Sequence, residues 1–168
     1  MSNGVPALTS EQALLELTIR NAEQSQQEFD DVFIAGMRSG LAAELLTRME
    51  DLWSKTLVVA GEMVAVGKIV IAEIVAFFKE NPGLSIGAAI GASLGVLVAT
   101  VPFLGPLLAP IATLAMSLYG AGIGATAQDG QAKGNPLDVA VALARKFFEM
   151  LIRIFNAIAG YVQTNYVK

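Results

Sequence analysis

From Asn81 to Gln128 the chain runs for 48 consecutive residues without one charged side chain. A run of that length cannot lie open in water, because the apolar surface it carries has to be covered by protein or by lipid. Three prolines, Pro102, Pro106 and Pro110, fall in the stretch Val101-Pro102-Phe103-Leu104-Gly105-Pro106-Leu107-Leu108-Ala109-Pro110 and preclude one continuous regular helix. They leave two arms, 84–101 and 111–127, of about 27 and about 26 Å as helices, just short of a hydrocarbon core of about 30 Å. Composition points the same way. Apolar residues make up 54% of the chain, only 15% are charged, and the mean hydropathy is +0.58. The pattern predicts an all-α protein with a central hydrophobic hairpin over 84–127 that enters a bilayer. Its tip, Pro102, Phe103, Leu104, Gly105, Pro106 and Pro110, carries no ion that would have to be drawn through hydrocarbon.

The flanks read as amphipathic helices. Residues 1–9 form a flexible start, and Thr9-Ser10-Glu11-Gln12 has the spacing of a capping box, which opens a helical region over 10–80. Phe29, Phe33, Met37, Leu41, Leu45, Met49 and Leu52 recur every three or four residues as one stripe. Unbroken, that region would measure about 105 Å, so a long helix or helix pair with a break near Gly36–Gly40 or Gly61–Gly67 is expected. Residues 56–78 resemble a membrane span until Glu62, Lys68 and Glu73 are counted. At roughly 2.5 to 3.5 kcal/mol each, their cost cancels the apolar gain. A polar loop over 128–135 leads to Asn135 as N-cap and Pro136 at the first helical position, opening an amphipathic helix over 136–165.

The glycines within the uncharged run are spaced in a regular way. Gly83, Gly87, Gly91 and Gly95 repeat every four residues and so occupy nearly one helix face, which lets another helix approach to backbone contact. Gly120 and Gly124 offer a matching small face on the second arm. The pattern fits either closure of the hairpin on itself or packing between copies in a homo-oligomer. On a continuous helix, Glu62, Glu73 and Glu80 would share one edge, as a pore lining, an acid-sensitive latch or a solvated face.

The chain contains no cysteine and no histidine. That excludes disulfides, thiolate and histidine nucleophile systems and the usual zinc and haem sites. No phosphate loop or metal constellation is present, and no enzyme, cofactor or small-molecule substrate is expected. Residues 1–80 carry twelve Asp/Glu against six Lys/Arg, a poor surface for nucleic acid. The first residues have no basic n-region or apolar h-region, so no cleavable signal peptide is expected.

Lys79-Glu80-Asn81-Pro82-Gly83-Leu84-Ser85-Ile86-Gly87-Ala88-Ala89-Ile90-Gly91-Ala92-Ser93-Leu94-Gly95 resembles the C-terminal anchor of the ElaB/YqjD-like bacterial inner-membrane proteins, where an amphipathic helix meets an Asn-Pro break and a glycine-zipper span. The order of amphipathic helix, uncharged hairpin and amphipathic helix is similar to pore-forming bacteriocins of the colicin type and to type III secretion translocators. These resemblances imply a bilayer partner, at a bacterial inner membrane or a target-cell membrane. The sequence therefore predicts a membrane-inserting, self-associating protein that forms a pore or permeabilises its target. The alternatives are a resident membrane scaffold, or a soluble helical subunit of a filament or tube.

Overall fold

The structure, a computed structural model, describes residues 8–25, 28–128 and 136–162. It is mostly helical. In chain order the elements are α1 (Ser10–Ser25), α2 (Phe29–Arg38), α3 (Ala43–Trp53), β1 (Leu57–Val59), β2 (Glu62–Val64), α4 (Val66–Glu80), α5 (Ile86–Thr100), α6 (Leu104–Gln128), α7 (Pro136–Phe147) and α8 (Glu149–Ile158), closed by a single 3-10 turn at Ala159–Tyr161.

Local chemistry explains most of the boundaries. The capping box forms as its spacing predicts: the Gln12 amide donates to Thr9 Oγ1 at 3.1 Å, and the Thr9 amide donates to Gln12 Oε1 at 3.0 Å. The end of α2 is a Schellman turn. Gly40 takes φ +95°, its amide reaches the Met37 carbonyl, and the Leu41 amide reaches the Gly36 carbonyl.

The second break departs further from expectation. Residues 57–64 form an antiparallel ribbon rather than helix, with Val58 opposite Met63. Ala60 and Gly61 both take positive φ, 51° and 84°, as a type I′ turn requires. The run Thr56-Leu57-Val58-Val59 favours a strand because its branched side chains fit a pleated surface. Leu57, Val59 and Val64 are buried, whereas Glu62 stands in water beside the turn.

Helix α4 is the axis of the core, with nine of its residues buried, Phe77 among them. Its two inner charges find partners in the protein: Lys68 Nζ lies 5.8 Å from the centre of the Trp53 ring, and Glu73 pairs with Arg20. Helix α5 packs against α4, α6 and α7, burying Ala88, Ala89, Ile90, Ala92, Ser93, Leu94, Val96 and Leu97. Ser85 caps its start by accepting from the Ala88 amide. In α6, Pro106 falls in the first turn, where its missing N–H is not needed. Pro110 sits inside the helix at an exposed position. The Ala42 amide donates to Tyr119 Oη at 3.0 Å, tying α6 to the start of α3. The closing helical region bends at Phe148, where Phe77, Phe147 and Phe148 form a cluster with ring centres 5.1 to 5.5 Å apart.

Among the described residues, no helix is long and apolar enough to cross a membrane. This overturns the membrane-entering hairpin, the pore, the membrane scaffold and the membrane location. The physical reason lies in what covers the uncharged run. Helix α5 has 15 residues, about 22 Å at 1.5 Å per residue, and protein encloses most of its circumference. The tip is no free loop either. Val101 and Leu104 are buried, Phe103 packs on Phe155 with ring centres 5.5 Å apart, and Asn156 Nδ2 donates to the Thr100 carbonyl at 2.9 Å.

Candidate helix-docking groove

Helix α5 carries three of the four spaced glycines, Gly87, Gly91 and Gly95. Gly83 stands outside it, exposed, in the turn that follows α4. Gly87 and Gly91 are half-buried, and Gly95 is exposed. A Cβ placed on Gly95 would meet no atom within 4 Å, so this glycine is not required by packing inside the chain. Gly120 and Gly124 belong to the part of α6 whose surroundings lie outside the described residues.

Between α5 and α6 the small residues leave a groove of about 280 Å³, lined by Gly91, Leu94, Gly95, Val98, Ala112, Ala115 and Met116. Every lining residue is uncharged and apolar. Two of them are unusually open for their type, with Met116 60% and Val98 38% exposed. Backbone forms part of the floor and flexible or branched side chains form the walls, which is the shape an apolar helix ridge fills.

The sequence pattern points to the α5 half of this groove but not to Ala112, Ala115 and Met116. The signal was present in the register. A turn at 101–103 brings 112–116 to the level of 91–98, whereas Gly120 and Gly124 lie further along the arm. The tip residues do not join the groove: Pro102, Pro106 and Pro110 are exposed, Gly105 has open space about it, and Phe103 and Leu104 belong to the packing against α8 and the core.

The three acids do not form one edge. Glu62 is on β2, which removes it from the helical phase of α4, and Glu80 is exposed at the end of α4. Of the three, Glu73 alone is half-buried, accepting from Arg20 Nη1 at 2.9 Å across 53 residues of chain. Burial pushes the Glu73 carboxyl above the ordinary carboxylate range. The charge and hydrogen bond of Arg20 oppose that rise, and the negative charge of Glu23 adds to it. The folded chain therefore holds the Glu73 proton more tightly than the unfolded chain does. Its contribution to stability is complete below the ordinary carboxylate value and is lost as pH rises through the elevated folded value. Glu73→Gln keeps an acceptor for Arg20 and removes the titration. Denaturant midpoints of wild type and Glu73→Gln, compared at about pH 5 and about pH 8, should show the variant gaining on the wild type at the higher pH. An unchanged difference would mean that Glu73 does not titrate in that window.

Among the described residues no group of three or more His, Cys, Asp or Glu side chains is placed to hold a metal ion. No protein-family model, curated protein or solved structure matches the chain.

Proposed function

We propose that this chain is a self-associating helical module, and that a second copy docks on the glycine-floored groove between α5 and α6. The reading carries no catalytic step. The observation that supports it is the groove itself: an apolar cleft with Met116 and Val98 left open beside Gly95, on a face free of charge. Contiguous exposed apolar surface of this kind marks contact sites, since open Met and Val side chains in water gain by burial. A charge-free face also lets two identical surfaces meet without like-charge repulsion, although the chain as a whole carries a net charge of −4. Backbone exposed at Gly95, beside the half-buried Gly91, permits the close approach that a bulkier residue would block.

Substitution at Gly95 tests this directly. Because its Cβ position is open, Gly95→Ala should leave the fold intact and stabilise the monomer by up to about 1 kcal/mol through helix propensity. Gly95→Leu fills the floor of the groove. Light scattering over a concentration series should show the wild type moving from monomer to dimer, Gly95→Ala associating more weakly, and Gly95→Leu staying monomeric with unchanged helicity. Association of Gly95→Leu at the wild-type concentration would rule the groove out as the contact.

A further inference from the structure

We infer that α1 is a releasable strap, which opens from the bundle as a unit while α4 and α5 stay folded. The inference rests on how α1 is attached and is independent of the docking groove. Helix α1 packs on α8 and α4. Of its described residues only Ala13 and Leu17 are fully enclosed apolar side chains, against nine buried residues on α4. Its remaining large apolar surface is divided, with Leu15 61% and Ile19 44% exposed on the outer side. A helix that buries so little has few apolar contacts to lose when it lifts away.

Leu14 also packs half-buried against the core, and the polar part of the attachment sits at the C-terminal half of α1. Asn21 Oδ1 accepts from the Ala65 amide at 2.9 Å, and Arg20 pairs with Glu73. This seam is incompletely satisfied. Arg20 Nε and Gln24 Oε1 are both buried without a hydrogen-bond partner. Beside them lies a cavity of about 310 Å³ whose lining includes Gln24, Asp31, Glu73, Lys79, Ala72 and Ala76, so α1, α2 and α4 do not close on one another there. Opening returns each of these polar atoms to water, where it recovers the hydrogen bonds that it lacks in the folded seam. The well-packed face of α4 gains nothing comparable by exposure. The free energy of opening is therefore lower at α1 than for the bundle as a whole, and local opening of α1 precedes global unfolding. What opening uncovers is defined at both ends of the strap: Glu73 and its cavity under the C-terminal half, and Ile152 and Ala157 of α8, which share a cleft with Leu8, at the N-terminal side.

The absence of cysteine makes the test clean, because single-cysteine variants of the full chain carry one reactive thiol. Leu17→Cys should react with a soluble disulfide reagent on the order of 100-fold faster than Ile74→Cys, both positions being buried in the closed state. Adding Gln24→Leu, which removes the unpaired acceptor, should slow labelling at position 17 about tenfold and leave position 74 unchanged. Hydrogen exchange followed by mass spectrometry on the unsubstituted protein provides the check that needs no variant. Peptides from 10–24 should exchange ahead of those from 66–80 and 86–100. Equal labelling rates at 17 and 74, or α1 amides as protected as those of α4, would overturn the strap.

Discussion

Gly67→Ala should cost about 3 to 5 kcal/mol, the largest loss expected among the glycines whose Cβ surroundings the structure describes. A Cβ at this position would overlap the carbonyl oxygen of Leu52 and lie 2.8 Å from its carbonyl carbon and 3.2 Å from the carbonyl oxygen of Lys55. All three are backbone atoms, so no rotamer change relieves the overlap. The start of α4 would have to move off the end of α3. That movement would break the bond from the Gly67 amide to the Lys55 carbonyl, 3.1 Å long, and would pull Val66 and Ile69 out of the core. The helix-propensity gain from glycine to alanine, at most about 1 kcal/mol, is too small to offset this. Total stability of a domain this size is about 5 to 15 kcal/mol, so the variant should sit near the edge of folding. Trp53, the only tryptophan and buried in the same junction, reports the transition by its fluorescence in urea. Gly83→Ala is the control, because its Cβ meets nothing within 4 Å and should leave the midpoint in place. A Gly67→Ala midpoint equal to that of the control would mean that α3 and α4 do not approach as closely as described.

The contrast between Gly67 and the spaced glycines shows what the sequence makes legible. Periodic glycines at 87, 91 and 95 announce themselves, yet packing inside the chain does not require the glycine at 95. Gly67 carries no local pattern, because its constraint comes from the Leu52 carbonyl brought beside it by the β1–β2 ribbon. Signals that act within a few residues were readable: the Thr9 capping box, the helix end near Gly40, the stop after Glu80. Signals that depend on a distant partner were not. A helix apolar on all sides fits a membrane or a protein core equally well, and α5 is such a helix. What decides between them is the cover supplied by α4, α6 and α7, together with the Asn156 bond to Thr100, which spans 56 residues of sequence. The acidic edge failed for a related reason, since it assumed helix through 57–64, where the Ala60-Gly61 turn forms a ribbon instead.

Phe77→Ala should lower stability by about 3 to 5 kcal/mol, a loss comparable with that at Gly67 but of different origin. Phe77 is fully enclosed, and its ring lies 5.4 Å from that of Phe147 and 5.5 Å from that of Phe148, at the bend between α7 and α8. Removing it deletes buried apolar surface and leaves a cavity that three helices would have to collapse together to fill. Phe77→Leu keeps most of that volume and should lose about 1 kcal/mol, close to the part owed to ring geometry. Because Phe77 and Phe148 touch, their alanine substitutions should not add: a double-mutant cycle on urea midpoints should give a coupling of about 0.5 to 1.5 kcal/mol. Additive losses would show that the two rings are buried independently and that the bend at Phe148 is held by its backbone alone. None of these residues lines the α5–α6 groove. Folded Phe77→Leu should therefore associate as the wild type does, which separates the packing that holds the bundle together from the surface proposed to join two copies.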